Sequence, residues 1–285
     1  MLPISHKVSH SPTPVVLLIG LFDPTGRQDV PADVITCAAQ GLHAVCAITG
    51  TALADSAIML HIEPAHPEQL DEQIRLLLED TPVHAIKVGH IANVEQVSII
   101  AQIAADYAHV PLILHLSPKE VVYTDTDDED GEDDHTAQAI LELLVPQSEL
   151  VVTSARLAAR WSEDELPMLT DLEHSPRGLL EMGASHVLLT HFRQRPGVQV
   201  NLLTGSQGET QAWPAVPMTA GTQETTGLLA TAIAAGLANG LELMSACDNA
   251  CQYEALAQAQ AFQAGMGQRT AQRLPDDVGD ARSTD

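Results

Sequence analysis

The chain has 285 residues, 45% of them hydrophobic, which is enough apolar material for one large α/β domain. It carries 38 acidic and 13 basic side chains, so its formal net charge is −25 at pH 7. A surface this acidic repels the phosphates of nucleic acids and the anionic surface of membranes, so we expect neither as a partner. It also repels free nucleotide unless a metal ion or local cations offset the field.

Residues 1–13 are polar and interrupted by prolines, so we expect a flexible N-terminus. They contain no apolar core of signal-peptide length. No run elsewhere approaches the roughly 20 apolar residues that span a bilayer. Together these features predict a cytoplasmic protein.

From residue 14 onward, strand-like and helix-like segments alternate. Pro14 to Leu21 is an apolar run of strand length, and a turn at 23–26 separates it from a helix that we expect to end at Gly41. Helices of this length between strands imply parallel pairing with right-handed crossovers. The segments that follow are predicted strands at 44–49, 57–62, 84–88 and 112–116, with helices at 67–79 and 94–107.

Residues 124–134 interrupt the alternation with eight carboxylates. Their mutual repulsion predicts a mobile, solvated loop. Alternating aspartates also resemble the start of an EF-hand, so a calcium loop is the alternative. The closing Glu is missing from its expected place and no helix pair frames the segment, so we prefer the mobile loop.

In the second half of the chain, the sequence predicts that helices and strands continue to alternate and end in a hairpin and two helices. We expect residues 14–266 to form a single domain, and the polar residues 267–285 to form a disordered tail. The predicted helices are 136–144, 155–161, 170–182, 226–238 and 242–265, and the predicted strands are 150–153, 186–190, 198–203 and 211–213.

A polar loop, Gly221-Thr-Gln-Glu-Thr-Thr-Gly227, opens directly onto the Ala-rich helix predicted at 226–238. The first turn of a helix has free N–H groups and the positive end of the helix dipole, so phosphate groups commonly bind there. A Thr-rich helix start is also a common cap that binds no ligand. The loop alone leaves both interpretations open.

Several other short stretches stand in a characteristic order. They are Leu18-Ile-Gly-Leu-Phe-Asp-Pro-Thr-Gly26, Ala32-Asp33, Gly41, Ala47-Ile-Thr49, Lys87-Val-Gly-His90, Gly183-Ala184 and Val187-Leu-Leu189. With the Gly221–Gly227 loop, they resemble the hydroxymethylpyrimidine and phosphomethylpyrimidine kinases of thiamine biosynthesis, members of the ribokinase-like superfamily. The resemblance covers roughly residues 14 to 265. It implies a three-layer α/β/α ribokinase-like fold with a central mostly parallel sheet, and ATP-dependent phosphorylation of the thiamine pyrimidine precursor.

The resemblance also implies where ligands bind. Asp23 stands at the position of the acidic residue that hydrogen-bonds the aminopyrimidine, while Thr51 and His90 stand at the positions of a Gln and a Met in the family's substrate site. Magnesium-ATP is the implied cosubstrate. The implied anion hole is formed by the backbone of Glu224, Thr225, Thr226 and Gly227, with Thr190 beside the nucleotide.

The chain departs from the family pattern at the positions of the catalytic base, the phosphate-binding loop and the magnesium-binding motif. Gly227 stands at the position of the family's catalytic base and has no side chain that could accept a proton. Glu224 replaces a Gly, and two unit charges about 4 Å apart repel by about 4 kcal/mol at an effective dielectric near 20. The family's Asn-x-x-Glu, which organises magnesium, reads Ala155-Arg156-Leu157-Ala158 and offers no side-chain oxygen.

Further departures lie at the substrate loops. The Gly-Gly-Ala-Gly segment of the family reads Gly26-Arg27-Gln28-Asp29, and the Asp at a strand end reads His115. His90, His115 and His191 all lie at the C-terminal ends of predicted strands, so a transition-metal site made by these histidines with Asp23 is an alternative.

We therefore predict a hydroxymethylpyrimidine/phosphomethylpyrimidine kinase-like protein with impaired catalysis. If it is active, magnesium would be held mostly by nucleotide and water. The alternative is a non-catalytic pseudokinase that binds a pyrimidine-like ligand or a protein partner. Because dimers are common in the family, the resemblance also makes a homodimer possible.

Overall fold

The structure is a computed structural model that describes residues 13–116, 132–155, 176–217 and 221–275. Within these residues nine strands form one sheet in the order β3-β2-β1-β4-β5-β6-β7-β8-β9. The strands are β1 (Val15–Phe22), β2 (His43–Ala54), β3 (Met59–Pro64), β4 (Ala85–Val88), β5 (Leu112–His115), β6 (Leu150–Ser154), β7 (His186–Arg195), β8 (Val198–Gly205) and β9 (Thr210–Pro214).

The central strands pair in parallel and the edges of the sheet are antiparallel. Strands β2, β1, β4, β5, β6 and β7 form the parallel part. Strand β3 pairs with β2 in antiparallel orientation, and β8 and β9 continue the other edge in the same way. The mostly parallel sheet that was predicted is confirmed.

Helices cover both faces of this sheet. They are α1 (Asp29–Ala39), α2 (Pro67–Asp80), α3 (Val94–Asp106), α4 (Glu132–Ala139), α5 (Arg177–Glu181), α6 (Thr226–Ala238) and α7 (Leu243–Ala259). A π-helical turn at Ile140–Leu144 and a 3₁₀ turn at Val145–Gln147 follow α4. In the part of the chain that the structure describes, no helix is both long enough and apolar enough to cross a membrane.

The side chains of β1 show how the layers are built. Leu17 and Ile19 belong to the apolar cluster formed with α2 and α3, whereas Val16 and Leu18 belong to the cluster formed with α1, α6 and α7. All four are at most 1% exposed. A strand buried on both faces needs apolar side chains at every position, which explains the continuous apolar run in the sequence. The predicted three-layer α/β/α fold is confirmed.

Some predicted boundaries are wrong. Helix α7 ends at Ala259 instead of residue 265, and β7 continues to Arg195 instead of 190, past an irregularity between Leu189 and Phe192. Residues 132–134 of the predicted acidic loop lie in α4. The remainder of that loop, residues 1–12 and most of the segment predicted helical between 155 and 175 lie outside the described residues.

The predicted tail begins too early. Residues 267–275 fold back on the body of the protein, where Arg269 forms a bridge with Thr222 and Thr270 forms one with Phe262. Arg273 is only 8% exposed. Its guanidinium donates to Thr36 Oγ1 in α1 at 2.8 Å, so a charged residue anchors this segment although its composition is typical of a solvated tail.

Candidate active site

The candidate site lies where the loops after β1 and β4 meet, at the carboxyl ends of these parallel strands. Strand β1 pairs with β2 on one side and with β4 on the other, both in parallel. From β1 the strands are added towards one edge as β2 and β3 and towards the other edge from β4 onward, so the order of addition reverses between β1 and β4. Open α/β sheets gather their ligands at such a switch point. The loop that follows β1 and Gly89, directly after β4, meet at this point.

Asp23 is buried, and its carboxylate is used by its own loop. The backbone N–H of Thr25 donates to Oδ1 at 2.9 Å, and the backbone N–H of Gln28 donates to Oδ2 at 3.2 Å. The Thr25 hydroxyl lies 2.7 and 2.8 Å from the two oxygens. This is the local turn chemistry that Asp favours. The side chain predicted to hold a pyrimidine thus holds the turn between β1 and α1.

Lys87 forms a buried charge cluster below this loop. It is 1% exposed, and its Nζ lies 2.6 Å from Asp33 Oδ2 and 3.8 Å from Asp29 Oδ1. Burial alone would lower the pKa of Lys87, but the two carboxylates outweigh it and raise the pKa above its ordinary value. The lysine is therefore charged, and its partners must stay in place because an unpaired buried charge is costly.

Asp29 places its carboxylate over two glycines at the strand ends. A Cβ on Gly20 would lie 2.6 Å from Asp29 Oδ1, and a Cβ on Gly89 would lie 2.2 Å from the same atom. The backbone φ of Asp29 is +54°, in the left-handed region that residues other than Gly rarely adopt. The carboxylate thus occupies the floor of the cleft between β1 and β4.

The other two residues predicted to bind substrate lie on the two sides of β1, His90 just after β4 and Thr51 on β2. The His90 carbonyl accepts a 2.7 Å hydrogen bond from Thr49 Oγ1, and its backbone N–H lies 3.5 Å from Asp29 Oδ1. Thr51 is exposed on β2, opposite Phe22 in the parallel ladder. Asp29 and His90 are therefore brought together, and Thr51 lies farther out along the edge.

A chain of hydroxyl groups holds the loop at the start of α6. Thr190 Oγ1 and Thr226 Oγ1 are 2.9 Å apart, and Thr226 Oγ1 donates to Glu224 Oε1 at 2.8 Å. The structure thus brings together the predicted anion-hole residues and the predicted nucleotide residue Thr190. It also places the Glu224 carboxylate at the positive end of the α6 dipole, where an external anion would otherwise be attracted.

Glu254 supports this loop from below and was not predicted. It is fully buried on α7, accepts from Thr225 Oγ1 at 2.5 Å and accepts from Asn201 Nδ2 at 3.2 Å. Burial raises the pKa of this carboxyl to about 7, although the two hydrogen bonds oppose the shift. Asn201 in turn accepts from the backbone N–H of His191, whose φ is +55°. The only sequence signal is one acidic residue on the apolar face of a helix.

His115 lies against the start of α6. A Cβ on Gly227 would lie 3.0 Å from His115 Cε1 and 3.4 Å from Nδ1, so the imidazole lies in the space that a side chain at Gly227 would need. His115 is at the end of β5 and is partly buried. Gly227 lacks a side chain, but a group that can accept a proton near neutral pH lies beside it.

The sequence matches one family model over most of its length. A model described as phosphomethylpyrimidine kinase matches residues 23–272, which include both loops of the site. The chain belongs to the phosphomethylpyrimidine kinase family. The resemblance predicted from the short stretches is confirmed.

Individual relatives agree with this assignment. A hydroxymethylpyrimidine/phosphomethylpyrimidine kinase of Synechococcus elongatus is 27% identical over 266 residues, which cover 90% of this chain and 95% of the relative. A thiamine biosynthesis multifunctional protein of Corynebacterium glutamicum is 29% identical over 107 residues, 38% of this chain. That match spans only 14% of the Corynebacterium protein.

Solved structures share the fold. Bacillus subtilis pyridoxal kinase, in an ADP complex, superposes with a TM-score of 0.76 at 19% identity and covers 92% of this chain and 98% of its own. Identity this low supports the ribokinase-like architecture and not a particular substrate.

The described residues fit the family's magnesium site poorly. Ala155, which stands at the first position of the Asn-x-x-Glu pattern, is buried and has no side-chain oxygen. Arg156 and Ala158 lie outside the described residues. The chain therefore offers no side-chain amide at the first position of the pattern that the resemblance implies.

The transition-metal alternative is contradicted. Among the described residues, no three His, Cys, Asp or Glu side chains are grouped closely enough to hold a metal ion. His115 packs on Gly227, while His191 Nε2 lies 3.2 Å from the Val216 carbonyl and His90 follows β4. The three histidines lie on or just after β7, β5 and β4 and are not grouped as metal ligands.

Proposed function

We propose that this protein is a hydroxymethylpyrimidine/phosphomethylpyrimidine kinase-like protein in which ATP-dependent phosphoryl transfer is impaired. The observation that carries the proposal is the Glu224 carboxylate, which accepts a 2.8 Å hydrogen bond from Thr226 at the start of α6. A phosphoryl group in transfer must bring negative charge to such an anion hole. Glu224 adds a charge of the same sign, and like charges repel at this range.

The remaining site residues support the same proposal. Gly227 cannot act as a base, and Ala155 cannot help to organise magnesium. Magnesium-ATP would then be held by nucleotide oxygens and water, with the backbone of Thr225 and Thr226 as the protein's contribution. Positioning of this kind sustains some phosphoryl transfer, because much of the catalysis in this reaction class is geometric and electrostatic.

Substitution of Glu224 tests the proposal. Glu224→Gln keeps a hydrogen-bond acceptor for Thr226 and removes the charge, so ADP release with magnesium-ATP and hydroxymethylpyrimidine should rise about tenfold over the wild type, within the range that Coulomb repulsion allows. Glu242→Gln, at the exposed start of α7, is the matched control and should change nothing. An unchanged rate in Glu224→Gln would remove the main support for impaired catalysis.

A second candidate is an efficient kinase whose base has been replaced. The observation that favours it is the contact between His115 and Gly227. The substrate hydroxyl would pass its proton to the imidazole as its oxygen bonds to the γ-phosphorus, and the bond from that phosphorus to the bridging oxygen would break to leave ADP. Histidine is suited to this role near pH 7.

Chemical rescue tests this candidate. His115→Ala should release ADP at least tenfold more slowly than the wild type, and added imidazole should restore part of the rate. His43→Ala, at the exposed start of β2, is the control. A rate that His115→Ala leaves intact, or that imidazole does not restore, speaks against His115 as the base. Retained ADP binding with no turnover in any variant would instead favour the non-catalytic pseudokinase.

We further propose that the protein is cytoplasmic and, from the family resemblance, that it can form a homodimer. Sedimentation velocity on the purified chain tests the second point. A single species of monomer mass at micromolar concentration would contradict it.

A further inference from the structure

We propose that the Asp29 carboxylate occupies the position of the substrate ring in this cleft and weakens the binding of planar heteroaromatic ligands. This inference rests on the proposed function, since it concerns the substrate side of the same site. Asp29 would then decide substrate specificity at this site. Four observations support it: the place of Asp29 in the fold, its contact with the glycine floor, its backbone strain and its buried partners.

Asp29 lies at the switch point of the sheet, between β1 and β4. Asp29 begins α1, directly after the loop that follows β1, and its carboxylate reaches Gly89 at the end of β4. Glycines at strand ends commonly mark places where a ligand or another chain segment approaches the backbone closely. Here the Asp29 carboxylate, a side chain of the same protein, approaches both Gly20 and Gly89.

The fit is too close for a ring to share the space. Oδ1 of Asp29 would lie 2.6 Å from a Cβ on Gly20 and 2.2 Å from a Cβ on Gly89, so the carboxylate already lies against both backbones. The side chain is 3% exposed. A pyrimidine or pyridine ring stacked over these glycines would have to displace it.

Displacement is opposed by charge. Asp29 and Asp33 together neutralise Lys87, and Arg273 Nη1 lies 3.9 Å from Asp33 Oδ1. A ligand that moved Asp29 outward would leave Lys87 with a single carboxylate partner in a dry environment, which is unfavourable. The cluster therefore holds Asp29 in the cleft.

The loop that carries Asp29 is also fixed from outside. Arg273 Nη2 donates to the Arg27 carbonyl at 3.2 Å, and Asp23 accepts from the Gln28 N–H. The φ of +54° at Asp29 persists within this framework even though it is strained for a residue with a Cβ. A Gly at this position would relieve the strain and empty the floor of the cleft at once.

Three substitutions of Asp29 distinguish the effect of the space that its side chain fills from the effect of its negative charge. Asp29→Gly removes the side chain and suits the positive φ, and Asp29→Ala removes the carboxylate but keeps a Cβ. Asp29→Asn keeps the shape and removes the charge. Asp33, which lies 2.6 Å from Lys87, is unchanged in all three, and thermal unfolding establishes which variants are folded.

The readout is calorimetric titration of each folded variant with hydroxymethylpyrimidine alone. We expect weak binding to the wild type and to Asp29→Asn, with dissociation constants in the millimolar range, and at least tenfold tighter binding to Asp29→Gly and Asp29→Ala. Binding to the wild type as tight as to Asp29→Gly would overturn the inference. A gain in Asp29→Asn equal to that in Asp29→Gly would also overturn it, because charge and not occupancy would then be the cause. So would an absence of binding to both shortened variants.

ADP release measured on the same samples keeps the two proposals distinct. Fast turnover by the wild type contradicts impaired catalysis, whereas slow turnover with ring binding by the wild type as tight as by Asp29→Gly contradicts only the role given to Asp29. Slow turnover with weak ring binding in the wild type, and at least tenfold tighter ring binding in Asp29→Gly, supports both.

Discussion

At the scale of single residues, the buried carboxyl of Glu254 makes stability depend on pH. Its pKa is raised from 4.5 to about 7 by burial, so the folded protein keeps a proton that the unfolded chain loses in that interval. The stabilisation is fully present below about pH 4.5 and is lost as the pH rises towards about 7. At low pH, this proton contributes about 3 kcal/mol to the free energy of unfolding.

Glu254→Gln isolates this effect from those of the many other carboxylates. The free energy of unfolding of the wild type relative to Glu254→Gln should fall as the pH is raised from about 5 to about 7.5. Urea unfolding of both proteins across this range measures the difference. Parallel pH profiles would show that Glu254 titrates normally and that the buried arrangement with Thr225 and Asn201 is absent in solution.

At the scale of structural elements, residues 267–275 act as a strap that fixes α1 and the loop before it. Arg273 is the anchor, since it contacts Thr36 in α1 and the Arg27 carbonyl and lies near Asp33. Removing one member of a buried charge cluster typically costs about 3–5 kcal/mol because its partners stay buried.

Arg273→Ala should therefore lower the free energy of unfolding by about 3 kcal/mol. Arg177→Ala is the control, because its ion pair with Glu181 is exposed and such pairs contribute about 0–1 kcal/mol. Equal unfolding midpoints for the two variants would mean that residues 267–275 are not docked as the structure shows.

At the scale of the whole molecule, local sequence patterns predict the layers of the fold but not the contacts within the site. The buried strands of the parallel sheet, such as β1 and β6, appear as apolar runs because both of their faces are covered. Amphipathic α2 shows its buried Leu70, Ile74 and Leu78 at helical spacing. Such local patterns fix the fold class before any contact is known.

The site depends on contacts that no local pattern contains. Asp23 matches a family position, yet whether its carboxylate faces a ligand or its own loop is decided by the turn at Thr25 and Gln28. Asp29 acquires its role through a backbone angle and through Lys87 on another strand. His115 meets Gly227 only because β5 and α6 pack together in three dimensions.

The measurement that tests the central claim most directly is the rate of phosphoryl transfer by the wild-type protein under single-turnover conditions, with magnesium-ATP and hydroxymethylpyrimidine both in excess of their dissociation constants or at their solubility limits. With Glu224 in the anion hole and Asp29 on the floor of the cleft, we predict a rate below about 0.01 s⁻¹, at least a hundredfold under the roughly 1–10³ s⁻¹ typical of enzymes. A rate within that typical range would contradict the account.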